Sequence, residues 1–163
     1  MGRIYTIPYA GTLTNAGGNA DLLELLPADD KPTKLLGWII GAYSDQGDAN
    51  AESLNINLIR MNATITSGSG GSAVTPVPFN DLVFTTAYGG TAECNNSTVA
   101  TTSGTATTMM ELAWVIQASP WEFWFPEPKL TPCVRQGEGL FFRCATTVAD
   151  DISIAMTFFI EEE

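Results

Sequence analysis

The chain has 163 residues, 45% hydrophobic and only 15% charged, with a net charge of −11 and no histidine. That length suits one domain able to bury a core without staples. The acidity disfavours nucleic acid and anionic membranes, and the lack of histidine excludes a Ser-His-Asp or Cys-His site within this sequence.

Residues 1–8 lack the basic start and apolar run of a signal peptide, and no window reaches the ~18 apolar residues of a transmembrane helix. Residues 3–10 alternate loosely and predict a strand, with Pro8 at an edge or a bend. Residues 1–20 are expected as an N-terminal strand or arm, and 21–163 as one β-sandwich domain. The run Asp21–Leu26 fits a strand or one helical turn. Residues 34–44 form a near-continuous apolar run and predict a central buried strand, with Gly37 and Gly41 marking a bulge or bend. Residues 54–61 alternate and predict a half-buried strand.

Residues 64–78 are rich in Gly, Ser and Thr, a composition that predicts a flexible segment without regular elements. A second Thr/Ser/Asn/Ala-rich stretch covers 88–107 and can be strand in part. Residues 109–117 predict a strand, with a helix as the competitor because Met, Glu, Leu and Ala favour helices. Trp121–Phe125 reads as an aromatic strand between Pro120 and Pro126. Further strands are expected within 130–134, 140–146 and 152–160, the last with Ile152, Ile154, Met156, Phe158 and Ile160 on one face. The count is eight to nine short strands and no helix. This predicts an all-β fold, an antiparallel β-sandwich of jelly-roll type.

Several residues invite chemistry. Asp45, Asp48, Asn50 and Glu52 space oxygen ligands somewhat as a calcium loop does, but off the EF-hand pattern; a solvated acidic loop is the simpler reading. Glu93, Glu111 and Glu122 lie in or near apolar strands and are the candidates for a carboxylate pair of the glycosidase kind. Their alternation with apolar neighbours instead places them on a solvent face. Cys94, Cys133 and Cys144 have no metal-type spacing and read as free thiols, with a disulfide or an intersubunit bridge as the alternative. The Asn-X-Ser/Thr matches at Asn62, Asn95 and Asn96 read as chance, and Glu161–Glu163 as a solvated end. Trp121, Phe123, Trp124 and Phe125 form the densest aromatic patch. One face of that strand must point away from the core and needs a cover, a loop or a neighbouring subunit, so these residues are expected either as core or as a protein interface, with a sugar-binding platform as a second functional reading.

The segment Gly47–Leu54, the strand ending at Arg60, the stretches Thr66–Ser72 and Thr75–Pro78, the run Ala92–Thr98 and the closing Phe159–Glu162 together resemble a group of tailed-phage and prophage virion proteins. The resemblance spans roughly residues 20–163 and rests on loop composition and order. It implies a capsid decoration (cement) protein: no enzyme and no cofactor, bound to the major capsid protein and to itself, with a trimer expected by analogy with capsid lattices. It also implies synthesis in the host cytoplasm and residence on the capsid surface. The alternative is a carbohydrate-binding or adhesive surface module.

Overall fold

The computed structural model describes residues 2–15, 18–44, 52–79 and 86–163. The strands are β1 Arg3–Leu13, β2 Ala20–Leu26, β3 Thr33–Ala42, β4 Ser53–Asn62, β5 Ile65–Thr66, β6 Ser72–Ala73, β7 Val77–Pro78, β8 Thr91–Cys94, β9 Thr101–Thr102, β10 Ala106–Val115, β11 Trp121–Trp124, β12 Cys133–Val134, β13 Glu138–Cys144 and β14 Ile152–Glu162. Among the described residues there is no α-helix. The first sheet runs β11-β3-β14-β1-β7, with β12 also on β3. The second runs β10-β4-β13-β2-β8-β6, and β5 pairs with β9 in a small ribbon.

The fold is all-β and antiparallel, a sandwich of two sheets. The pairing is nested: β1 with β14, β2 with β13, β3 with β11, β4 with β10. Alternation explains the core. Ile7, Trp38, Ile40, Ile154, Met156 and Phe158 face inward from the first sheet, and Leu23, Leu25, Ile56, Leu58, Leu140 and Phe142 from the second. Along β14 every second residue is buried, as a pleated strand with one solvated face requires.

The expected eight to nine strands are fewer than the structure contains. Of fourteen strands among the described residues, nine have four or more residues and five have two. Residues 106–115 are strand, so sheet pairing with β4 overrides the helix propensity of Met, Glu and Leu there. Residues 130–134 contribute only Cys133–Val134. The 64–78 segment, expected without regular elements, carries β5, β6 and β7. Within residues 1–20, expected as a strand or arm, Arg3–Leu13 is the strand β1, paired with β14 along its whole length. Ile4 O accepts the Phe79 amide, so the even residues of β1 point their backbone groups toward β7. Pro8 lies beyond the two-residue β7 pairing, and its missing N–H therefore costs no ladder bond.

The outer face of the second sheet is also covered. Ile59, Met61, Ala100 and Phe141 form a second small core there, with Leu26 and Ile65 against it. Chain between β4 and β10 supplies Ile65 and Ala100 of that cover.

Candidate functional site

Among the described residues, nothing covers the outer face of the first sheet. Register sets its rows: Thr6, Phe159, Gly37 and Trp124; then Pro8, Thr157, Ile39 and Glu122; then Ala10, Ala155 and Gly41. Glu122 is the only charged residue in these three rows. Lys34 and Glu161 lie in the next row, paired at 3.9 Å, with Glu163 beside Lys34. A groove of about 520 Å³ runs down the small-residue row, flanked by Pro8, Ile39 and Pro120.

The four aromatic residues of the expected interface divide between the two faces. Trp121, Phe123 and Phe125 pack against the core, around Trp38 at centroid distances of 5.3, 4.7 and 6.0 Å. Trp124 points outward and is 44% exposed. Its ring lies over Gly37, where a Cβ would approach the indole to 2.8 Å, and against Phe159 at 4.6 Å. Phe79, 66% exposed, meets the other side of Phe159 at 5.8 Å. An apolar aromatic ridge therefore borders a neutral groove, and the residues that extend Trp124 into a surface come from β1, β3, β14 and Phe79. A contiguous exposed apolar patch is uncommon on a monomer.

No family model, curated protein or solved structure matches this chain.

The remaining candidates disperse. Asp45, Asp48 and Asn50 lie outside the described residues. Glu52 Oε1 accepts a hydrogen bond from the Ala149 amide at 2.6 Å. Among the described residues no three His, Cys, Asp or Glu side chains gather as a metal would require. Glu111 is exposed on β10, and exposed Glu122 accepts from Trp124 Nε1. Glu93 is half-buried and sits directly opposite Glu24 of β2. Asn96 Nδ2 donates to both carboxylates, at 2.9 Å to Glu93 and 3.2 Å to Glu24. Glu24 also accepts the Gly68 amide at 3.0 Å, which ties the 64–78 segment down onto the sheet.

Sequence reasoning missed this buried polar layer. Asp21 and Glu24 would face opposite ways in a regular strand. A bulge at Leu22, opposite the Phe142–Arg143 step, puts both on the covered outer face. There Arg143 donates to Asp21 from Nε at 2.5 Å and from a terminal nitrogen at 3.0 Å. Glu162 also departs from expectation: it is 3% exposed, accepts the Gly89 amide at 2.7 Å and faces Lys31.

The three cysteines are free thiols, with Cys94 and Cys144 buried. Burial pushes the Cys94 thiol from 9.0 up to about 12, and Tyr88 from 10.0 up to about 12. Both groups hold their proton longer in the folded state than in the unfolded one. Their stabilisation is full below the unfolded values and is lost as pH rises through the folded ones. Urea unfolding should thus show stability falling from about pH 9 upward, each group adding a slope of about 1.4 kcal/mol per pH unit. Because Tyr88 enters only above 10.0, Cys94→Ala should reduce the slope at the start of that window. An unchanged slope there would contradict the assignment to Cys94.

Proposed function

We propose that this chain is a phage virion structural protein, a decoration (cement) protein that binds the major capsid protein and stabilises the shell. The observation that carries the reading is the outer face of the first sheet, with Glu122 alone charged in its three central rows and its Trp124–Phe159–Phe79 ridge. A chain with net charge −11 keeps one broad face almost free of charge, which suits burial against another protein. The nested strand pairing supports a jelly-roll sandwich, and a rigid sandwich presents such a face without an ordering cost. Repetition on a symmetric lattice multiplies a modest contact. In this reading the protein is made in the host cytoplasm, resides on the capsid surface, assembles as a homotrimer, and needs no cofactor and no catalysis.

The test is co-expression with the major capsid protein of the same genome. Wild-type protein should co-purify with assembled shells at fixed stoichiometry. Ala155→Arg sets a charge in the middle of the face at an exposed position and should leave stability within about 0.5 kcal/mol while abolishing shell binding. Shell binding by Ala155→Arg at wild-type level would overturn the proposal. Light scattering reads the trimer separately: three times the chain mass of 17.4 kDa is expected in solution.

A carbohydrate-binding reading of the aromatic patch is weaker, because three of its four rings are turned into the core. Only Trp124 offers a stacking face, and its indole N–H is already bonded to Glu122.

A further inference from the structure

A second, chemically different site lies at one end of the sandwich. A cavity of about 250 Å³ opens there, remote in register from the Trp124 row, where four segments distant in sequence converge. Its floor is apolar and buried, built from Leu13, Ala20, Cys144 and Val148. Its rim carries neutral hydrogen-bonding groups, the hydroxyls of Thr12, Thr14, Ser97 and Thr146 and the amide of Asn95. Among the described residues no Lys, Arg, Asp or Glu lines it.

The rim is braced before any ligand arrives. Asn95, held at φ 60°, donates through Nδ2 to Thr12 O at 2.9 Å and Tyr9 Oη at 3.4 Å, joining the β8 loop to the end of β1. Gly70, at φ +86°, packs against the same segment, where a Cβ would meet Ser97 Oγ at 2.3 Å. Thr146 Oγ1 is fixed by the Asn55 amide at 2.8 Å. Preorganised polar groups around an apolar floor are the usual make-up of a small-molecule site.

Size and charge select the ligand class. The volume equals roughly eight waters at ~30 Å³ each, below the ~300 Å³ of drug-sized pockets. With no charged lining, an ionic ligand would be desolvated without compensation. A compact neutral polyol, with hydroxyls around its edge and an apolar C–H face, matches both the rim and the floor.

We propose that this cavity is a binding site for a neutral hexose-type sugar. The site shares no residue with the rows that carry the capsid reading, and it stands or falls independently of that reading.

The experiment is a titration of the isotope-labelled protein, followed by amide NMR, with glucose, galactose, mannose and N-acetylglucosamine. Glucuronate and glucosamine are the charged controls. At least one neutral sugar should shift the Ser97, Thr146 and Val148 amides saturably, with a Kd of about 1 mM, and the charged controls should bind at least about tenfold more weakly. Thr14→Trp and Ser97→Trp fill the mouth from exposed positions on different segments, so a folding defect in one leaves the other to decide. Each should remove the saturable shifts while retaining the wild-type spectrum elsewhere. The proposal is overturned if no neutral sugar saturates, if the shifts map outside the cavity, if the charged controls bind equally, or if both tryptophan variants still bind.

Discussion

Arg143→Met should lower the unfolding free energy by about 3–5 kcal/mol, read by urea or thermal denaturation, because it strands a buried carboxylate. Asp21 is fully buried, and its ion pair with Arg143 is bidentate. The same two side chains also hold Ala100: Asp21 accepts its amide at 2.7 Å and Arg143 donates to its carbonyl at 3.0 Å. Two hydrogen bonds thus staple the chain before β10 to β2 and β13, and two more join those strands to each other. Removing the cation leaves the Asp21 carboxyl buried without its partner, which costs more than the pair itself contributes. The double variant Asp21→Leu/Arg143→Met therefore should recover most of the loss. A double variant as unstable as the single one would show that shape, not charge compensation, sets the cost.

Trp38→Ala should cost a comparable 3–5 kcal/mol, since a large buried ring leaves a cavity that its neighbours cannot fill. Trp38 is fully buried at the centre of the aromatic cluster. Phe123 stacks on it at 4.7 Å with planes 18° apart, and Phe142 of the facing sheet lies at 4.8 Å. Trp38 thereby joins the edge strand β11 to both sheets. Against a total stability of ~5–15 kcal/mol, a loss of this size leaves β11 loosely held. Hydrogen exchange should then rise first at Trp121–Trp124. Trp38→Phe, which keeps a ring against Phe123, should lose clearly less than Trp38→Ala in the same denaturation series. Equal losses for the two would contradict the stacking account.

The long strands were legible because their faces differ. Ile152–Ile160 alternates without a break, and carrying that alternation one step further places Glu162 on the buried side, where it is found. The solvated-end reading failed because a carboxylate can be buried when a backbone amide and Lys31 meet it. The Asp21–Glu24 layer was illegible for a different reason: a single bulged residue, Leu22, reverses the face that period-two reading assigns. The 64–78 segment has little apolar content of its own. Its order comes from distant acceptors, Glu24 for the Gly68 amide and Asn96 Oδ1 for the Gly71 amide at 3.2 Å, which composition does not reveal. Of the expected interface, the need for a cover over one face of β11 followed from pleating. That only Trp124 faces outward, and that β1 and β14 extend its surface, depends on sheet order.

The most direct test of the proposed role is hydroxyl-radical footprinting of the protein on intact capsids and free in solution. If the outer face of the first sheet is the capsid-binding surface, Trp124, Phe159 and Phe79 become strongly protected on the particle, while Met110 on the edge of the other sheet keeps its free rate. Unchanged oxidation of Trp124 and Phe159 in the bound protein would contradict that assignment.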